Sequence, residues 1–568
     1  MTQRRLPFLP FLARSWLLGL LMAMACGQEA PDYPGPTGTS ELREALFDSI
    51  LARTARRGAF SVPKQEALGF DPLEEMEQLR DEVVAADSEE DLFYALLRLS
   101  NARRDRHLSV ALVEGGIRPP FTDGLDSEGG PETADPLEAP VRFLPDFSEG
   151  EDTYFVSDLA SAAEEPASEK EGITHDGSGL RSLAPDGLEP GDRVVEVNGL
   201  PVGELEQVLA PYIRHSSIPG LRWKIAQALS LRTAILPPSF RGESLLVEVE
   251  KADGSRARAD LPYLDPEGLV WSGYSEPVYD GFALEWSTPT YDLYLPVAGE
   301  PALVLQWHRF ESSSLIQDID RLAAFGQERG LLDHAVIFDA TRSGGGSLGA
   351  YAVQRIQPKP FKTTFGTLRL SDVIEPFIQG KREEFEAEAV FDSGGPETVD
   401  DGTWLMDWLE NDVFEALEAG DSVTSPVPFK LAHAPKDSDG VLEPAPVHFR
   451  GPLIVFSGPN GGSHLDQFMS IVADNELGPI IGMPAGGYSN TWEWYEVLHF
   501  PGTYEPVVGF MWSIGHTIRP NGEVLEGNPA PVDEWVPLTA GNAGDYYGIL
   551  LARARDYLES IGDSTESP

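Results

Sequence analysis

An α/β core, preceded by a β-rich unit and a small helical unit, is the architecture that this sequence predicts. Three observations carry it. From Pro301 onward, short apolar runs alternate with segments whose apolar residues recur at helical spacing. Between Leu188 and Leu264, Pro190-Gly191, Asn198-Gly199 and Asp253-Gly254 punctuate short strand-like runs. Between Glu41 and Asn101, apolar residues fall on one helical face.

At 568 residues the chain is long enough for about three or four domains. Its 42 basic and 92 acidic residues leave a formal charge of −50. That excess argues against nucleic-acid binding, which needs a basic footprint. It suits a self-repelling protein outside the cytoplasm.

The elements follow in order. Residues 1–26 read as a secretion signal: Arg4, Arg5 and Arg14 supply positive charge and Trp16–Met22 a short apolar core. Ala23-Met24-Ala25-Cys26 then resembles a bacterial lipobox. Cys26 is the chain's one cysteine, which rules out an intramolecular disulfide or a multi-cysteine metal site. As a lipidated N-terminus it would anchor the protein stably; the other reading is that it leaves with an ordinary signal peptide. Residues 27–40, rich in Pro, Gly and Thr, form a tether. No later segment is long and apolar enough to span a membrane.

Residues 41–112 form the helical unit. Leu42, Leu46 and Ile50 mark a helix over Glu41–Arg56. Asp87-Ser-Glu-Glu90 resembles a capping box before a helix ending near Asn101. Stretches 115–138 and 160–172, rich in Gly, Pro and acids, read as loops.

Leu188-Glu-Pro-Gly-Asp-Arg-Val-Val-Glu-Val-Asn-Gly-Leu-Pro-Val202 resembles the "L-x-P-G-D-x-I-x-x-V-N-G" core of bacterial PDZ domains. The resemblance implies a PDZ-like domain over 140–265, with Ile213–Phe240 as an insertion. Such a fold binds extended chain ends by adding a strand to a sheet edge.

In the core, over residues 300–560, Ala302–Trp307 and His334–Asp339 read as strands, and Leu315–Gly330, Leu348–Ile356 and Ala543–Ser560 as helices. Residues 371–449, long and acidic, read as an insertion or lid. The most telling segment is LIVFSGPNGGSHLDQFMSIVA, Leu453–Ala473: a buried strand, a glycine turn and a helix whose stripe is Leu465, Phe468, Met469 and Val472. Ser463 therefore stands at a helix start, where free backbone N–H groups can stabilise negative charge. Given a base, it is placed for acyl transfer. The bland reading is a serine N-cap.

The order of lipoprotein signal, helical unit, PDZ core and α/β core resembles the C-terminal processing peptidases and tricorn-core serine proteases, closer to the branch of the chlamydial protease-like activity factor. The motifs behind it are Asp105-Arg-His107-Leu-Ser109, Asp339-Ala-Thr-Arg-Ser-Gly344-Gly345-Gly346, Gly461-Gly-Ser463-His-Leu-Asp466 and Pro520-Asn-Gly522-Glu-Val-Leu-Glu526. One departure bears on mechanism. The processing-peptidase branch places a lysine base in "G-x-x-T-x-G-K"; Gly482–Gly487 is followed here by Tyr488, and no lysine lies after Lys436.

The resemblance implies a crotonase/ClpP-like core and a serine endopeptidase acting on extended polypeptides. Ser463 would be the nucleophile, His107 the base and Glu526 its orienting carboxylate. The N–H groups of His464 and of Gly344 or Gly345 would form the oxyanion hole. No metal or organic cofactor is expected. His464 and His516 are rival candidates for the base. An ordinary histidine base implies loss of activity as pH falls through about 6–7. The alternative is a non-catalytic peptide-binding or scaffold lipoprotein on the same fold. In either case the expected location is the cell envelope, at the outer membrane, through the N-terminal lipid. Mass spectrometry of the mature N-terminus should find an acylated Cys26; an unmodified terminus downstream of it would remove the anchor.

Overall fold

The computed structural model describes residues 35–119, 137–148, 153–163, 180–183, 187–310, 314–389, 401–428 and 434–565. Cys26, the signal segment and the tether up to residue 34 lie outside the described residues, as do parts of the two acidic loops.

The core is built on a seven-stranded sheet. Its order is Phe282–Ser287, Tyr291–Pro296, Ala302–Trp307, Ala335–Asp339, Leu453–Ser457, Ile480–Gly482 and Glu534–Trp535. The first three strands pair antiparallel and the rest parallel. Both faces are covered, which is why the central strands read as unbroken apolar runs. Val336, Phe338, Leu453 and Val455 face the helices Leu315–Arg329, Gly349–Ile356 and His464–Asp474. Their neighbours Ile337, Ile454 and Phe456 meet the C-terminal helix Tyr546–Thr565 through Tyr546, Tyr547, Leu550 and Leu551. The parallel strands end at Asp339, Ser457 and Gly482, so the loops after them gather at one edge, where α/β sheets place ligands.

A second unit is an eight-stranded β-sheet that includes Val141–Asp146, Thr153–Ala163, Arg193–Val197, Ser244–Glu250 and Arg256–Pro262. Asn198 and Gly199 take φ of 51° and 82° between paired Val197 and Leu200, the left-handed pair that a tight hairpin requires. Helix Ile218–Leu229 sits in the inserted segment, and Ser217 at its N-cap donates its hydroxyl to the Gly486 carbonyl in the core (2.8 Å). The insertion thus bridges two units.

The N-terminal helices are Ser40–Arg57, Ser61–Leu68, Pro72–Glu77, Arg80–Ala85 and Glu89–Asn101. The last is capped by Ser88, whose Oγ accepts from Asp91 N (3.0 Å). Leu46, Phe47, Leu92 and Leu96 share one apolar core with Phe377, Trp404, Trp408 and Leu409 of segment 371–449, and with Trp492, Phe510 and Trp512 of the hairpin Glu493–His499/Pro506–Ser513. Segment 371–449 is therefore a structural partner of the N-terminal helices. Among the described residues no helix is long and apolar enough to cross a membrane.

Trp408 is fully buried between Trp404 and Trp492. Trp408→Ala should cost about 3–5 kcal/mol. The check is a urea titration, in which the transition reporting this unit should move to lower denaturant.

Candidate active site

Strand Leu453–Ser457 delivers the chain into the turn 458–462, and Ser463 follows with φ 61° and ψ −124°. A non-glycine residue there is strained by about 1–3 kcal/mol and persists only where its surroundings over-determine it. Its N–H donates to the Tyr488 carbonyl (2.6 Å), and Gly486 N donates to the Gly461 carbonyl (2.7 Å). Both glycines are obligatory by contact. A Cβ on Gly461 would lie 2.1 Å from the Ser343 carbonyl oxygen, and one on Gly462 would lie 1.8 Å from the Tyr488 ring. Ser463 occupies the N-cap position of helix His464–Asp474, yet its side chain makes no capping hydrogen bond. Its Oγ instead lies 3.1 Å from His107 Nε2.

His107 arrives from the turn after helix Glu89–Asn101. That turn is anchored by buried Arg103, which donates to Ser100 and, through Nη1, to the Met511 carbonyl (2.7 Å). Val110–Ala111 then pairs with Phe510 and Gly509 of the hairpin. Tyr488 stands edge-on to the imidazole at 5.0 Å, beneath the Arg106 guanidinium at 4.3 Å. It walls the base from the position where a lysine stands in the resembling motif. His107 keeps 19% of its side chain exposed. Burial pushes its pKa down to about 4; Asp105 opposes the shift, and Arg106, Arg214 and Lys64 add to it.

Glu526 is buried, but it makes no hydrogen bond to His107. Its Oε2 accepts from Ser489 N (2.9 Å), and its Oε1 lies 3.3 Å from Lys64 Nζ. Asp105 is the nearer carboxylate by sequence. Its Oδ1 accepts the His107 backbone N–H (3.0 Å) and lies 3.9 Å from Nδ1, which has no hydrogen-bond partner. The ligating atoms of Asp105, His107 and Glu526 all lie within 4.8 Å of one another, a spacing that could bracket a cation, and the Lys64 ammonium touches this cluster. Burial, with repulsion from Asp105, pushes Glu526 up to about 8, while Lys64, Ser216 and Ser489 favour its ionised form.

Of the two glycines expected at the oxyanion hole, Gly344 donates its N–H to the His308 carbonyl (2.7 Å). Gly345 is the one packed on Ser463: a Cβ there would lie 2.6 Å from Ser463 Cβ. His464 opens the helix, and its Nε2 accepts from Gly349 N. His516 bonds to Ala59 and Thr367. Neither rival histidine bonds the Ser463 hydroxyl. Asp466, in the first turn of the helix, accepts from Gly487 N and Tyr488 N (3.1 and 3.0 Å); burial raises its pKa to about 7. It clamps the loop that holds Ser463 in place.

Asp105 and Lys64 join the site without having been among the residues that the motifs single out for a role. Asp105 had a usable signal, since a carboxylate two residues before a histidine can accept that histidine's N–H in a turn. Lys64 had none: it lies in a short helix, Ser61–Leu68, whose Val62 and Leu68 are exposed, and it reaches the site only through tertiary packing.

Neither a protein-family model nor a curated protein sequence matches the chain. Among solved structures it shares the fold of the chlamydial protease-like activity factor. The mature form of that protein complexed with lactacystin superposes with a TM-score of 0.63 at 15% identity, covering 92% of this chain and 99% of the other. A second structure of the mature form gives 0.62 at 14% identity over 93% and 99% of the two chains. A point mutant gives 0.60 at 13% identity over 90% and 96%.

Gly461→Ala should drive the turn off the Ser343 carbonyl and displace Ser463. Reactivity of Ser463 toward a fluorophosphonate should fall by on the order of a hundredfold, the usual cost of displacing a reacting group by about an ångström. Mass spectrometry of the labelled peptide measures it.

Proposed function

We propose that this protein is a serine endopeptidase of the cell envelope, acting on extended polypeptides and anchored through lipidated Cys26. The observation that carries the chemistry is the 3.1 Å approach of His107 Nε2 to Ser463 Oγ, with Ser463 held in a backbone conformation that serves no capping role. Ser463 attacks the peptide carbonyl as neutral His107 takes its proton. The oxyanion forms against the N–H groups of His464 and Gly345. His107 returns the proton to the leaving amine, and water then releases the acyl group by the same path. Asp105 supplies, from the same turn, the negative field that stabilises protonated His107, and Glu526 adds to it from across the cluster as it ionises toward pH 8. The PDZ-like unit presents substrate, and its insertion reaches the site through Ser216, whose Oγ accepts from Arg106 N (3.1 Å), and Ser217. The binding-protein reading is favoured by one observation, the unpartnered His107 Nδ1. Fluorophosphonate labelling of wild type against Ser463→Ala separates the two: wild type unlabelled means no acyl transfer.

Within the protease reading, Ser463→Ala and His107→Ala should each remove nearly all turnover, and the double variant should be little worse. Asp105→Asn and Glu526→Gln should be milder, and Tyr488→Phe should keep most activity. The pH dependence departs from that of an ordinary histidine. His107 stays neutral, and able to accept the serine proton, until pH falls through about 4, so the acid limb of kcat/KM belongs there and not near 6.5. Stability follows the same group. The unfolded chain binds the extra proton first, so stability drops as pH falls from about 6.5 toward 4. Rates taken over a pH series, with folding monitored in parallel, check both.

A further inference from the structure

Lys64 is a buried charge for which the reaction as described has no use. It lies in helix Ser61–Leu68 with 1% of its side chain exposed. A lysine so deeply buried is costly unless paired and fully hydrogen-bonded. Its three ammonium protons have three acceptors: the Arg103 carbonyl (2.9 Å), the Arg104 carbonyl and Glu526 Oε1 (3.3 Å). The two carbonyls belong to the turn that presents Asp105 and His107. Arg104 in that turn has φ 49°, a left-handed conformation costly for arginine. One ammonium therefore pins a strained turn from the N-terminal unit to a carboxyl group from the core.

We propose that Lys64 is a positioning residue of the active site: it fixes the turn that carries His107 and supplies the counter-charge that eases ionisation of Glu526 beside Asp105. This rests on the Ser463–His107 reading. Two buried carboxyl groups lie within 4.8 Å of each other, and like charges at such range favour protonation of one of them. Facing Glu526 are Asp105, which disfavours its charge, and Lys64, Ser216 and Ser489 N–H, which favour it. Tyr488 is also near enough to feel the Glu526 charge. Among these groups Lys64 is the one cation. Facing His107 are Asp105, Arg106, Arg214 and Lys64. Taking Lys64 away removes the attraction that lowers the Glu526 pKa, so Glu526 gains a proton more readily, and the turn loses its fastening.

The experiment follows Ser463 labelling by a fluorophosphonate from pH 3 to 10 in wild type, Lys64→Arg, Lys64→Met and the double variant Lys64→Met/Glu526→Gln. Wild type should show an upper step near pH 8, the range in which Glu526 ionises. In Lys64→Met the step should rise by about one unit or more, which is about tenfold less ionised Glu526 and a comparably slower reaction at pH 7. Lys64→Arg keeps the charge and should leave the step in place. The double variant removes both partners of the buried pair, so it should recover the thermal midpoint lost in Lys64→Met and show no step. A Lys64→Met protein that labels slowly with the step unmoved would reduce Lys64 to a packing role and overturn the proposal; so would one that behaves as wild type. If wild type does not label at all, the protease reading fails. The carboxyl band of Glu526, read by infrared difference against Glu526→Gln, then still decides Lys64, upheld by an upward shift of its titration in Lys64→Met and overturned by none.

Discussion

The site depends on one contact between segments 356 residues apart in sequence, His107 Nε2 to Ser463 Oγ. Neither partner is held by its own element alone. Ser463 needs the loop 486–489, which its own helix grips through Asp466 and which Gly527 and Glu526 tie down from the other side. His107 needs the hairpin Glu493–His499/Pro506–Ser513, which receives Val110–Ala111 as an added strand and the Arg103 guanidinium as a buried peg. That hairpin follows the Tyr488 loop in the chain. The same stretch, 486–513, therefore positions both Ser463 and His107.

Two apolar cores support the two sides of this contact. The central sheet is sandwiched between helices on both faces, so the turn before Ser463 starts from a strand that is wholly buried. The base rests on a different core, in which N-terminal helices, segment 371–449 and the hairpin share a cluster of tryptophans. Four of them come from two segments, Trp404 and Trp408 from segment 371–449 and Trp492 and Trp512 from the stretch 486–513. Each buries a large apolar surface, of order 150–250 Å². The long acidic segment is thus part of what holds the base.

Burial and neighbouring charges set the protonation state of His107. In a chain of net charge −50, the surroundings of His107 are locally mixed: Arg106, Arg214 and Lys64 oppose its protonation and Asp105 favours it. Burial tips the balance toward the neutral imidazole, the form that a serine nucleophile needs. In the proposed mechanism the surrounding carboxyl groups matter at the next moment, when the imidazole becomes a cation. Their separation from Nδ1 leaves them acting by field rather than by a direct hydrogen bond.

What the sequence determined by itself was local. Leu453–Phe456, the glycine turn and the helical stripe after Ser463 are set by side-chain periodicity and backbone freedom, so strand, turn and helix start could be read directly. His107 and Glu526 were legible only through motif resemblance, since nothing in their local sequence separates a base from a surface histidine or a buried carboxylate from a solvated one. Tertiary structure alone decided what Glu526 bonds: its oxygens are taken by Ser489 and Lys64, while Asp105 stands 3.9 Å from the imidazole Nδ1. It likewise decided between Gly344 and Gly345, because the N–H of Gly344 is spent on His308. Hydrogen-bond partners far apart in the chain follow from packing, and packing is not encoded in any short window of residues.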